Sequence, residues 1–320
     1  MTLNRRTFLA LGAPLAATPL ILAGHARAQT TGPAVRSLPF PPAGADGWIS
    51  LMNGRNLDGL YTMLQRSGKG VAETKGMVTF ENGMLHIMGN QVTEETAESG
   101  YIATKQEFEN YRVRVEYKWG VKRFLPRLEA KRDNGLLYHL VGEDRVWPTC
   151  VECQIQEGDV CDYFMLGGTR GSQGGNRGGG AGRGGTAAAT AGGAASAAGT
   201  PANRGAGAAA ASGPPAGAAP AVTGTGRAGA TPVEPTSGRK LRDQAGDFEI
   251  KDGWNVVEVV VQGDRSSHLL NGIALNNSSN LQQPDPQNAG QFIPLTRGKI
   301  AIEIEFAEIW YRRFEIKPLA

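Results

Sequence analysis

Between Tyr111 and Trp119 the chain alternates without a break. Tyr111, Val113, Val115, Tyr117 and Trp119 take one side, and Arg112, Arg114, Glu116 and Lys118 take the other. A period of two is the signature of a strand with one buried face; on a helix the same residues would scatter around the axis. The pattern recurs in "GLLYHLVG" (135–142), "VECQIQ" (151–156), "NVVEVVVQGD" (255–264) and "GKIAIEIEFAEIWYRRFEIKPL" (298–319). Asn82-Gly83 in "MVTFENGMLHIMG" and Asn271-Gly272 in "SHLLNGIALNN" mark two-residue hairpins, because both residues of that turn must adopt positive φ. No helical period is sustained beyond the first segment. Short strands punctuated by Gly, Asn and Asp predict an all-β sandwich or jelly roll of two antiparallel sheets.

Two segments stand outside that pattern. Residues 1–28 run from Arg5-Arg6 through an apolar stretch to Ala26-Arg27-Ala28. That is the order of a cleaved export signal, and the paired arginines before Thr-Phe-Leu give it a twin-arginine character. The expected location is periplasmic or secreted, with residues 29–45 as a linker. No other segment is long and apolar enough to span a bilayer. Residues 167–240 are almost entirely Gly, Ala, Ser, Thr and Pro with scattered Arg. Such a composition cannot bury enough surface to offset its ordering entropy, so it reads as a disordered insert. The expected domain is therefore single but interrupted, 46–166 plus 241–320. The chain has 33 basic and 30 acidic residues, but the signal and the insert hold the excess of positive charge; the remainder has 23 basic against 29 acidic. The balance argues against a nucleic-acid surface.

The densest chemistry lies in "TCVECQIQEGDVCDYF", residues 149–164. Cys150 and Cys153 face opposite sides of a regular strand and cannot meet without a bulge. A disulfide from Cys161, a metal site and core thiols are the three readings, and Cys153, in register with Val151 and Ile155, reads as core. The acidic turn Glu157, Asp159, Asp162 fits either calcium binding or plain turn chemistry. The alternation that buries Val151, Cys153 and Ile155 sends Glu152, Gln154 and Gln156 to the other face. Amides and carboxylates about 7 Å apart along a strand suit the mixed donors and acceptors of a sugar.

Five stretches in order, "GWISLMNGRNLDGLY", "NYRVRVEYKWG", "RDNGLLYHLVGEDRVWPTCVECQIQEGDVCDYF", "HLLNGIALNN" and "IPLTRGKIAIEIEFAEIWYRRFEIKPL", resemble the DUF1080 family of 3-keto-disaccharide hydrolase domains. The likeness runs from about Trp48 to Leu319. It implies a concanavalin A-like jelly roll acting on carbohydrate. The chain departs from the family pattern at Asp133-Asn134-Gly135, where Asn-Ser-Gly is usual, at His139, where Arg is common, and at Glu303, where Gln is usual.

Jelly-roll glucanases place two carboxylates on one strand face for double displacement. Here that face reads Glu152, Gln154, Gln156, and the strand alone lacks the second carboxylate. A 3-keto sugar needs less: its ketone acidifies the C2 hydrogen, one base removes it, the enolate expels the C1 group, and water adds back. On this reading Glu152 is the base or a metal ligand, and His139 is the acid or a ligand. Lys118, Gln154, Gln156 and His268 are the substrate-binding candidates. A divalent metal ion held by His139 and Glu152 is left open by the spacing. A glycan-binding module without catalysis would use the same face.

Overall fold

The computed structural model describes residues 43–172 and 235–319. The expected signal, most of the linker and the bulk of the insert lie outside the described residues. The described residues form eighteen strands and no helix. In chain order these are β1 (Ile49–Ser50), β2 (Leu60–Leu64), β3 (Gly68–Lys69), β4 (Val78–Glu81), β5 (Met84–Ile87), β6 (Gly100–Thr104), β7 (Tyr111–Arg123), β8 (Gly135–Val141) and β9 (Thr149–Gln154). They continue as β10 (Tyr163–Leu166), β11 (Arg170–Ser172), β12 (Gly238–Lys240), β13 (Asn255–Gln262), β14 (Arg265–Leu270), β15 (Ile273–Pro284), β16 (Phe292–Pro294), β17 (Lys299–Ile304) and β18 (Ala307–Pro318).

Two antiparallel sheets result. The ten-stranded sheet runs β11-β15-β14-β13-β7-β18-β5-β4, with β1 and β16 attached to β18 and β15. The eight-stranded sheet runs β12-β10-β9-β8-β17-β6-β2-β3. The long alternating strand β7 lies between β13 and β18. Its Tyr111, Val113, Val115 and Tyr117 are at most 1 % exposed, as the period of two requires. On its other side Arg114 Nε donates to Glu315 Oε2 at 2.7 Å, and Arg112 pairs with Glu258. Both Asn-Gly dipeptides turn hairpins. Asn82 and Gly83 (φ 51° and 80°) join β4 to β5, and Asn271 and Gly272 (φ 50° and 83°) join β14 to β15. The core between the sheets gathers Val113, Val115, Leu136, Val151, Cys153, Tyr163, Val257 and Ile302. Full burial of each aliphatic side chain there stabilises the sandwich by about 1.5–3 kcal/mol relative to exposure.

The sandwich reaches further toward the insert than composition predicts. Arg170–Ser172 and Gly238–Lys240 fall within the expected 167–240 insert, yet they are strands paired to β15 and β10. Backbone ladders do not require apolar side chains, so these short ends are invisible to a compositional reading.

The cysteine alternatives resolve to free thiols. Cys150, Cys153 and Cys161 are all buried and unpaired in disulfides. The acidic turn is tied up by cations: Glu157 meets Arg132 at 2.5 Å, Asp159 meets Lys131 at 2.9 Å, and Asp162 meets Arg239 at 2.6 Å. It is turn chemistry, with its charges already neutralised.

Candidate functional site

The outer face of the eight-stranded sheet, turned away from the ten-stranded one, carries the site. Strand register lines up one row across it: Arg239 on β12, Phe164 on β10, Glu152 on β9, Leu137 on β8 and Ala301 on β17. The next row brings Gln154 against Gly135. Ile302 pairs with Leu136, so Glu303 comes alongside Gly135 from the other flank.

Gly135 is the opening through which two carboxyl groups meet. A Cβ built on it would lie 2.7 Å from Glu303 Oε2 and 2.8 Å from Glu152 Oε1. The two oxygens are therefore no more than about 5.5 Å apart, close enough for two carboxyls to act together on one bond of a ligand. The strand that lacked a second carboxylate receives it from β17, across a glycine.

These groups face a cavity of about 360 Å³, within the usual range for a small-molecule site. Its walls come from several elements. Arg127 and Asp133 approach from the β7–β8 connection, Trp147 from the β8–β9 loop, Gln156 from just beyond β9, and Glu305 from the end of β17. Phe164, Leu166 and Arg239 close the far side. Asp133 accepts from Gln156 Nε2 at 2.8 Å and from Arg127, whose other nitrogen lies 3.8 Å from Glu305. Asn134 donates to the Glu303 carbonyl at 2.9 Å and accepts from Tyr311, which fixes the Glu303 backbone.

Acceptors outnumber available donors. Asp133 Oδ1, Gln154 Oε1 and Glu305 Oε2 are buried lining atoms that accept from no N–H or hydroxyl group, and only a proton carried by Asp133 or Glu305 can bridge those two carboxyls. Arg127 and Arg239 are already engaged, the latter with Asp162 and Asp159. Buried acceptors of this kind call for donors from a ligand. A wider hollow of about 530 Å³ beside Trp119 lacks that character, because its charges pair among themselves, as in Arg132–Glu157 and Lys251–Asp247.

The crowding shows in the proton affinities. Burial raises the Glu152 carboxyl well above the ordinary range, and Asp133 and Glu305 push it the same way. Burial does the same to Glu303, reinforced by Glu152 and Glu305. Glu305 is raised to about 8 by burial and by Asp133, against the opposing Arg127. Asp133 is raised by burial, with Arg127 pulling it back. Glu305 therefore keeps its proton at neutral pH, burial and mutual repulsion keep Glu152 and Glu303 from ionising together, and the group titrates as a unit.

Of the residues singled out from sequence, Glu152, Gln154 and Gln156 line this cavity, and Lys118, His139 and His268 do not. Lys118 lies on the outer side of the ten-stranded sheet, beside Trp310, with the whole sandwich between it and Glu152. His139 falls at a bulge: the register of β8 shifts between Tyr138 and Val141, and His139 takes φ 53°. The bulge breaks the alternation, so Tyr138 and His139 are both fully buried, and the His139 ring lies 6.1 Å from Tyr111 and 5.5 Å from Tyr138. Burial lowers its pKa to about 4, against the opposing pull of the Gly263 backbone. It cannot serve Glu152 as acid or as co-ligand of a metal. His268 stacks on Tyr163 in the core at 3.6 Å and contacts the Tyr138 hydroxyl at 3.0 Å. Among the described residues no group of three or more His, Cys, Asp or Glu is arranged to hold a metal ion.

Residues 47–317 match the model of the 3-keto-alpha-glucoside-1,2-lyase-like domain. The chain belongs to that family. The resemblance read from its five sequence stretches is thereby established over nearly the whole domain. None of the curated proteins matches the chain. Among solved structures it is similar to two Parabacteroides distasonis proteins described as candidate glycosyl hydrolases. One shares 15% identity at a TM-score of 0.44, with 86% of this chain and 95% of that one covered. The other shares 15% at 0.42, with 85% and 99% covered. It is also similar to the carbohydrate binding module CBM66 from Bacillus subtilis, at 6% identity and a TM-score of 0.36, with 85% and 95% covered.

Proposed function

We propose that this family member is an exported enzyme that cleaves 3-keto glycosides by elimination and hydration across C1–C2. The observation that carries the reading is the Glu152–Glu303 pair meeting over Gly135 in a cavity whose acceptors lack donors. Two carboxyls that share protons supply a base and an acid side by side. Glu152 removes the proton from C2, next to the ketone. The electrons form the enolate and then expel the C1 oxygen, which takes its proton from Glu303. Water next adds to C1 of the unsaturated ketone, giving its proton to Glu303, while Glu152 returns its proton to C2. The sum is glycoside plus water to 3-keto sugar plus alcohol, with both carboxyls restored. Arg127 and Arg239 in the walls supply positive charge for the enolate oxygen. The half-buried rings of Trp147 and Phe164 offer flat apolar surface to a sugar ring.

The test is product analysis with a 3-keto glucoside and the matching unoxidised glucoside. Release of 3-keto glucose from the first alone supports the reading. Two carboxyls on one face also admit a second reading, double displacement on an ordinary glycoside. Cleavage of the unoxidised glucoside would move the assignment there. Binding without cleavage of either compound would make the protein a glycan-binding module.

Gly135→Ala tests the pair directly. The added methyl must push the two carboxyls apart, so kcat/KM is expected to fall by about 10- to 100-fold. Stability should change by less than about 2 kcal/mol, because the atoms met are ends of flexible side chains. Steady-state kinetics and thermal melting check both halves. Unchanged kcat/KM would remove the pair from the mechanism.

A further inference from the structure

The link between β8 and β9, residues 142–148, lies on the outer face of the eight-stranded sheet. Beneath it Leu137, Leu140, Cys150 and Ala301 are fully buried although they point away from the core between the sheets, and Val146 packs against them. Among the described residues no backbone hydrogen bond ties residues 143–147 to the sheet. A side chain does so instead. Asp144 Oδ1 accepts from the Tyr61 hydroxyl at 2.5 Å and from the Tyr101 hydroxyl at 3.1 Å. Asp144 Oδ2 accepts from Lys69 Nζ at 2.6 Å. Lys299 Nζ lies 3.8 Å from the same carboxylate and donates to Tyr61 at 3.0 Å. Four strands, β2, β3, β6 and β17, thus grip one loop carboxylate. Three residues on, Trp147 lines the cavity.

We propose that Asp144 is a positioning residue, which pins the β8–β9 loop to the sheet so that Trp147 stands as a wall of the sugar site. The inference rests on the reading of that cavity as the sugar site. The donor set explains why a carboxylate is used. An asparagine could accept from the two hydroxyls, but its amide nitrogen would then face Lys69, donor against donor. The contacts are charge-assisted and multiple, which sets them apart from a lone surface ion pair. Asp144 touches no group in the proposed proton transfers. Its loss should therefore loosen sugar binding and spare the chemistry.

Arg145 is exposed beside the latch and gives a local readout that does not depend on any sugar. With Asp144→Ala, trypsin is expected to cut after Arg145 under conditions where the parent is resistant there. KM for a 3-keto glucoside should rise about tenfold, with kcat within about twofold. Trp147→Ala should raise KM similarly, and Asp144→Ala should add little on top of it. Tyr61→Phe removes one of the latch bonds and keeps the test available if Asp144→Ala does not fold; it should shift both readouts partway. Continued resistance at Arg145 in Asp144→Ala and in Tyr61→Phe would overturn the latch. Cleavage at Arg145 with KM unchanged would overturn the link to Trp147. A parent that neither cleaves nor binds sugar would sink the functional reading, and the trypsin result would still decide the latch.

Discussion

Glu152→Gln is expected to lower turnover of a 3-keto glucoside by about a thousandfold, the usual contribution of a positioned general base. The amide has nearly the shape of the carboxyl, so sugar affinity should stay within a few-fold. Stability should not suffer. Glu152 is 5% exposed, and burial, Asp133 and Glu305 disfavour its charged form, so an amide that is neutral at every pH adds no buried charge. The combination of lost turnover, kept affinity and an undiminished melting temperature separates a catalytic role from a folding defect. Glu303→Gln sharpens the assignment. If Glu303 protonates the departing oxygen, its loss should change first-turnover release of a nitrophenol little and that of an alkyl alcohol greatly. A Glu152→Gln protein that retained turnover within tenfold of the parent would end its assignment as the base.

The fold was legible because burial and strand period coincide. Tyr111, Val113, Val115 and Tyr117 are inward in the structure as in the pattern, and the Asn-Gly hairpins turn where their positive φ requires. The pattern failed where the backbone departs from the ladder. At His139 a bulge turns the ring into the core, and nothing in "LLYHLVG" signals the extra residue. Lys118 was assigned to its correct side of β7, but the sequence does not say which sheet carries the ligand. That is a matter of long-range pairing, and β7 belongs to the other sheet.

The site was legible one strand at a time. Glu152, Gln154 and Gln156 follow from the alternation around β9. Glu303 and Glu305 follow from the same rule applied to "KIAIEIE", where Ile300, Ile302 and Ile304 go to the core and the acids go outward. What the sequence could not supply is the adjacency. β8 separates β9 from β17, and only a glycine at 135 lets their carboxyls meet. Arg127, Asp133 and Trp147 arrive on loops, which carry no period. Arg239 was hidden inside a stretch whose composition reads as insert.

A second large effect is expected in the dependence of stability on pH. Glu305 is held at about 8 in the folded protein, above its ordinary 4.5. Between those values the folded state keeps a proton that the unfolded chain has released. Its contribution is complete below the unfolded pKa and is lost as pH rises through the folded one, at up to about 1.4 kcal/mol per pH unit. Glu152 and Glu303 are shifted in the same direction. The buried histidines act oppositely: His139 and His268, lowered by burial to about 4 and about 3, resist folding once the solvent favours their charged forms. Their effect ends above their ordinary 6.5. From there to about pH 8 the cavity carboxyls act with the histidines silent, and the melting temperature should fall steadily across that window. Glu305→Gln keeps the shape, removes the titrating group, and should flatten the slope by about one proton's worth of linkage. Denaturant unfolding at half-unit pH steps measures it. A wild type whose stability is level or rising over that window would mean that the cavity carboxyls are ionised at neutral pH. The proposed acid would then have no proton to give.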